Sequence, residues 1–137
     1  MALMIFKRTS PSVKAKQSMI RLVSFNRKHG LVMFNVCSSK EFGLTDGCRI
    51  LFAKDTETRQ WFFTIGSIED LSEGNTLQIR TNPSGSNSAK VAAKNVVDAV
   101  CDDFMAESIT FCIAQKSKLM EGRQWWRIIT ATPYRKI

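Results

Sequence analysis

Apolar and polar positions alternate over short runs along most of this chain, which is the pattern of half-buried β-strands. Turn-forming residues separate neighbouring runs, as in Asn26–Gly30, so successive strands are expected to pair as hairpins. The runs predicted as strands are 19–25, 31–36, 48–54, 60–65, 77–81, 108–115 and 124–132.

Two stretches follow a helical pattern instead. A short helix is predicted near residues 38–42, with Ser38 in the N-cap position. A long helix is predicted near residues 88–104, because apolar residues recur there at helical intervals. The predicted fold class is therefore α+β, with a largely antiparallel sheet built of hairpins.

The order of these elements predicts the domain organisation. Residues 1–17 are a basic N-terminal arm, 18–81 a β-hairpin subdomain, and 88–137 an αββ subdomain packed on it. A chain of 137 residues fits one compact domain overall. No internal repeat is evident in the sequence.

Sequence features place the protein in the cytoplasm. The apolar N-terminal run ends after six residues at Lys7, which is too short for the core of a signal peptide, and no apolar run approaches the roughly 20 residues that span a bilayer. The four cysteines, Cys37, Cys48, Cys101 and Cys112, are scattered singly, as buried free thiols would be. We expect no metal and no cofactor.

Positive charge is concentrated at the two ends of the chain. Residues 1–40 hold eight basic and no acidic residues, and residues 115–137 hold six basic residues and one acid. The middle, 41–114, holds six basic and eleven acidic residues. A field of one sign attracts polyanions, of which nucleic acid is the commonest inside cells, although a solubilising surface would have the same composition.

Catalytic motifs are missing from the sequence. His29 is the only histidine and lies in a predicted hairpin turn beside Arg27 and Lys28, where it is solvated. No nucleophile elbow, P-loop or dinucleotide fingerprint is present. We therefore expect a protein that is not an enzyme.

Aromatic and basic residues occur together at the start of two predicted strands, in Arg59–Phe63 and Arg123–Arg127. Adjacent strand residues face opposite sides, so Trp125 and Arg127 share one face. If that face is exposed, it suits stacking of a nucleobase beside a guanidinium. If a second layer covers it, both aromatic pairs belong to the core.

The stretch from Ser24 to Ile65 contains a strand, a basic turn ending at Gly30, a strand, a short helix and two more strands. Between the hairpins, Phe42–Ile50 reads Phe-Gly-Leu-Thr-Asp-Gly-Cys-Arg-Ile. This order and this segment resemble the swapped-hairpin DNA-binding domain of AbrB-type transition regulators and MazE-type antitoxins. The chain departs from that family at Val36–Ser38, where the family usually has proline, and at Leu31, where it usually has arginine.

The resemblance implies an intertwined homodimer whose basic hairpin face contacts DNA. Together with the aromatic–basic pattern it gives the predicted nucleic-acid contacts, which are Lys14, Lys16, Arg21, Arg27, Lys28, Trp125 and Arg127. The leading hypothesis is a DNA-binding transcription regulator that contacts phosphates without catalysis. The alternatives are a binder of single strands that stacks bases on sheet aromatics, and a protein–protein assembly or mobile-element accessory module.

Overall fold

The computed structural model describes residues 20–67, 76–81 and 88–137. These residues form ten strands and two short helices. The strands are β1 (Leu22–Asn26), β2 (Leu31–Phe34), β3 (Cys48–Lys54), β4 (Trp61–Ser67), β5 (Leu77–Thr81), β6 (Ala89–Ala92), β7 (Ser108–Ile113), β8 (Lys118–Met120), β9 (Arg123–Ile129) and β10 (Arg135–Lys136). The helices are α1 (Val36–Glu41) and α2 (Lys94–Phe104).

Eight of the strands close into an antiparallel β-barrel. Their order is β7-β1-β2-β6-β5-β3-β4-β9, and β9 pairs back onto β7. Strand β8 forms a hairpin with β9, while β10 pairs with β7 at Ile109 and Thr110. The barrel thus closes within a single chain.

Two similar halves build this barrel. Each consists of two strands, a helix and two strands: β1-β2-α1-β3-β4 and β5-β6-α2-β7-β9. If each strand is replaced by its counterpart in the other half, every pair of neighbouring strands becomes another pair of neighbours. The pair β1–β7, for example, becomes β5–β3. The barrel therefore has an approximate twofold symmetry in its strand order, which places the similar stretches Arg59–Phe63 and Arg123–Arg127 at the equivalent strands β4 and β9.

The alternation of apolar residues explains why these segments are strands. In β1 and β2, Val23, Phe25, Val32 and Phe34 are fully buried, and the residues between them are partly exposed. The interior is filled by side chains, as expected for eight strands. Four fully buried phenylalanines are prominent in it: Phe25, Phe34, Phe63 and Phe111.

The two helices pack at opposite ends of the barrel. Helix α2 lies at the end with the β1–β2 turn, where the amide of Ala93 donates to the carbonyl of Gly30. Helix α1 lies at the other end, where Ser38 Oγ donates to the carbonyl of Leu22 at the start of β1. After α1, the ring of Phe42 packs against Phe63 and Trp126.

The predicted antiparallel sheet is confirmed, but the α+β fold class and the long helix near 88–104 are wrong. Residues 89–92 form strand β6 instead, and α2 begins only at Lys94. Ala89 and Val91 fit both a helical stripe and a strand alternation. Pairing of β6 with β2 and β5, both distant in sequence, selects the strand. The short helix was predicted near 38–42 and is found at 36–41.

Strands of the two predicted subdomains alternate in one sheet. Strand β6 lies between β2 and β5, and β7 and β9 lie between β1 and β4. The predicted N-terminal arm, 1–17, lies outside the described residues. Neither helix in the described part is long and apolar enough to cross a membrane.

Candidate functional site

The charges of the described residues are sorted by structural element. The ten strands hold nine lysines and arginines and no aspartate or glutamate. All described carboxylates lie instead on the helices, the turns and the connecting segments. The outer face of the barrel strands is therefore cationic or neutral.

Three of the strand cations lie together on the outer face of β3, β5 and β6. Arg80 lies directly opposite Lys90 in the β5–β6 pair, and Arg49 lies opposite Gln78 in the β3–β5 pair. Because Gln78 and Arg80 are two residues apart on one strand, all four side chains share a face. We call Arg49, Arg80 and Lys90 the cationic wall.

The cationic wall is solvent-accessible and lacks ion-pair partners among the described carboxylates. Arg80 and Lys90 are exposed and Arg49 is half-buried. None of the three forms an ion pair with a described carboxylate within 4.0 Å. Like charges directly opposite each other destabilise a strand pair, so Arg80 and Lys90 favour binding of an anion between them.

Asp46 is a carboxylate near the cationic wall, and its charge interacts with that of Arg80. Its carboxylate accepts hydrogen bonds from the amide and the hydroxyl of Thr81, at 2.7 and 3.0 Å. These two bonds, with a smaller contribution from the charge of Arg80, lower the pKa of Asp46. Asp46 is therefore anionic at neutral pH, and its Oδ1 accepts both hydrogen bonds from Thr81.

The carboxylates of α2 pair with a different set of cations. Asp98 and Asp102 contact Arg27, and Asp98 also pairs with Lys94 at 3.1 Å. Arg27 and Lys94 are thus paired with carboxylates of α2, whereas the cations of the wall have no ion pair with a described carboxylate.

Asp103 fixes the end of α2 to the β3–β4 hairpin. Its Oδ2 accepts from Lys54 Nζ at 2.6 Å and from the indole N–H of Trp61 at 3.2 Å. Burial alone would raise the pKa of Asp103, but these hydrogen bonds and the nearby charges of Lys54 and Arg59 outweigh it and lower the pKa. Asp103 is therefore ionised at neutral pH, where it anchors the end of α2 to the β3–β4 hairpin.

Arg21, one of the predicted nucleic-acid contacts, lies inside the protein. It is 6% exposed, and its guanidinium carbon is 5.1 Å from the ring centres of both Phe42 and Trp126. It also donates to the carbonyl of Ala114 and pairs with Glu41 at 3.7 Å. In this position Arg21 joins α1 to the barrel and is not presented to a ligand.

Arg27 is likewise engaged, by Asp98 and Asp102 of α2. Lys28, next to it in the β1–β2 turn, is exposed and has no ion pair with a described carboxylate. Lys14 and Lys16 lie outside the described residues. Of the predicted hairpin contacts, Lys28 alone is both described and available.

Trp125 and Arg127 share the outer face, as predicted, but Trp125 is covered. It is 7% exposed, and its indole N–H donates to the carbonyl of Met120 at 3.1 Å. Arg127 is half-buried and lies opposite Phe62 in the β4–β9 pair. Trp61, from the similar motif, points into the core.

The two basic ends of the chain meet only in part. The amide of Arg27 donates to the carbonyl of Glu107, and the amide of Glu107 donates to the carbonyl of Ile137. The β1–β2 turn therefore lies at the same barrel end as β10, which carries Arg135 and Lys136. Arg127 lies elsewhere, on the outer face of β9.

No group of three or more histidine, cysteine, aspartate or glutamate side chains among residues 20–67, 76–81 and 88–137 is placed to hold a metal ion. Burial, with a hydrogen bond to Glu41, raises the pKa of Cys37 to about 11, so this thiol is protonated and unreactive at neutral pH.

The cationic wall was missed because residues 88–104 were predicted as one helix. That prediction placed Lys90 on a helix surface, away from Arg80. The alternation Gln78-Ile79-Arg80 was visible in the sequence. The identity of the partner strand and the register of the pairing could not be inferred from it.

Comparison with family models, with curated proteins and with solved structures gives no significant match for this chain.

Proposed function

We propose that this protein is a non-catalytic nucleic-acid-binding protein and that the cationic wall is its principal phosphate-binding surface. One observation carries the proposal: the ten described strands hold nine basic and no acidic residues, and three of the basic residues lie together on adjacent strands. Phosphate neutralisation by lysine and arginine supplies most of the affinity in sequence-independent binding.

The proposal moves the contact surface away from the predicted hairpin residues. Arg21 and Arg27 are engaged within the protein, and Trp125 is covered. Arg49, Arg80 and Lys90 take their place, while Lys28 and Arg127 are secondary candidates.

As part of the same proposal, the protein acts in the cytoplasm as a DNA-binding regulator. Its four cysteines are all free thiols, which suits a reducing compartment. A homodimer would present two cationic walls to one DNA molecule and gain affinity from their linkage.

The proposal is tested by fluorescence anisotropy with a labelled duplex. Three phosphate contacts give an affinity that falls roughly 40-fold between about 50 and 200 mM salt. The double variant Arg80→Gln, Lys90→Gln is expected to weaken binding roughly tenfold for each cation removed, at about 0.1 M salt.

The matched control is Lys116→Gln with Lys118→Gln, which removes the same charge from exposed residues outside the wall. It is expected to change affinity by less than about threefold, through the long-range field alone. If both double variants weaken binding equally, the wall is not the principal site. If the wild type does not bind at low salt, the proposed function is wrong.

A further inference from the structure

We infer that the cationic wall binds the phosphate backbone of a double helix, in preference to single strands and without reading base sequence. This inference rests on the proposed function and adds the form of nucleic acid that the surface accepts.

The described residues of the outer face around the wall offer no platform for base stacking. Six neighbouring strands, β7, β1, β2, β6, β5 and β3, form this part of the barrel. Their partly or fully exposed residues are serine, threonine, asparagine, glutamine, aliphatic, cysteine, methionine and basic side chains, apart from Phe52, which packs against the core. Proteins that bind single strands without sequence preference stack successive bases on exposed aromatic rings.

The aromatic residues of the described part are used elsewhere. All its phenylalanines and tryptophans are either buried or partly buried and packed against the core. Tyr134 is the exposed aromatic in this part of the chain, at 42%, and its ring is in contact with Arg135. A single ring on the chain segment before β10 cannot stack successive bases along the wall.

The spacing of the cations suits a dense array of phosphates. Strands lie about 4.8 Å apart, so Arg49, Arg80 and Lys90 on three adjacent strands span roughly 10 Å. A duplex carries one negative charge for about every 1.7 Å of its axis, a higher density than a single strand has. The same three cations therefore release more counterions against a duplex, about 0.9 per phosphate contact compared with about 0.7 for a single strand.

The shape of the wall prevents base reading. Proteins read bases by inserting a helix or a two-stranded ribbon into the major groove. The wall is the convex outside of a closed barrel, and its cations lie on paired strands within the sheet rather than on a projecting element. The contacts are therefore made with phosphates, which carry no direct sequence information.

The inference is tested by competition at about 50 mM salt, where phosphate contacts are strongest. The probes are a labelled duplex of mixed sequence, one of its strands alone, oligo-dT of the same length, and AT-rich and GC-rich duplexes. We expect the duplexes to bind within about twofold of each other and at least fivefold more tightly than either single strand. The Arg80→Gln, Lys90→Gln variant should lose most of the duplex affinity.

The preference for duplex and nucleic-acid binding itself are contradicted by different results. Single strands that bind as tightly as duplex overturn the inference while leaving the proposed function in place, and Tyr134→Ala would then show whether stacking carries that binding. A clear preference between the AT-rich and GC-rich duplexes also overturns it. If neither single strands nor duplexes bind, the proposed function itself fails.

Discussion

Arg21 is expected to stabilise the fold rather than to bind a ligand, and replacing it tests this directly. Arg21→Ala removes a guanidinium packed against the rings of Phe42 and Trp126, together with its hydrogen bond to the carbonyl of Ala114. It also removes the ion pair with Glu41. These contacts join the start of β1 to α1 and β9, so their loss should loosen one end of the barrel.

The size of the effect follows from the burial of each partner. Removing one member of a buried ion pair costs about 3–5 kcal/mol when the other charge is left buried. Glu41 is half exposed, at 52%, so water hydrates its carboxylate after the substitution. The two cation–π contacts, at about 0.5–2 kcal/mol each, and one charged hydrogen bond, at about 1.5–3 kcal/mol, remain as losses, offset in part by relief of the buried charge. We expect a decrease of ~3 kcal/mol in the free energy of unfolding.

Urea unfolding followed by circular dichroism measures this change, with the dependence on urea concentration unchanged from the wild type. Arg21→Met retains much of the side-chain volume and is expected to recover about half of the lost stability. Lys28→Ala, on the exposed turn, serves as the control and should change stability by less than about 0.5 kcal/mol. A loss below about 1 kcal/mol for Arg21→Ala, accompanied by weaker DNA binding in the folded variant, would refute the structural role.

Three further substitutions test the packing and electrostatics of the fold. Because folding lowers the pKa of Asp103, its ionised form stabilises the protein above about pH 4, and this contribution is lost as the pH falls through the lowered pKa. The melting temperature of Asp103→Asn should therefore decrease less steeply than that of the wild type between about pH 5 and pH 2. Equal slopes of melting temperature against pH would contradict the assignment. Gly30 has a φ of +65°, and an added Cβ would lie 3.4 Å from the Cβ of Lys94, so Gly30→Ala should cost about 1–2 kcal/mol in urea unfolding. Gly47→Ala, which meets nothing within 4 Å and requires no positive φ, should stay within about 0.5 kcal/mol; similar losses for the two glycines would show that strain is not the cause. Glu121 has a φ of 52° in the β8–β9 turn, so Glu121→Gly should stabilise the protein by about 0.5–1 kcal/mol, and a loss of stability would argue against this turn geometry.

Local patterns were sufficient to predict most strands, because their alternation is set by one buried face. Strands β3 and β5 were predicted with the bounds that the structure has. Strand β6 was not, because Ala89–Ala92 satisfies both periods and the choice depends on pairing with β2 and β5. The short strands β8 and β10 have too few residues to show any period.

The barrel and the charged surface depend on contacts that are remote in sequence. Closure requires β7 to pair with both β1 and β9, and no local pattern specifies this. The role of Arg21 was hidden for the same reason, since Phe42 and Trp126 lie far from it along the chain. The positive charge at the two chain ends could be seen in the sequence. The cationic wall could not, because its three residues lie in the net-acidic middle of the chain and are brought together only by strand pairing.

The central claim is that Arg49, Arg80 and Lys90 contact phosphates, and the salt dependence of duplex binding tests it most directly. Each phosphate contact contributes about −0.9 to the slope of the logarithm of the binding constant against the logarithm of salt concentration. Replacing all three residues with glutamine should therefore make the slope less negative by about 2.7, with the circular dichroism spectrum unchanged. A triple variant that stays folded and retains the slope of the wild type would contradict the claim.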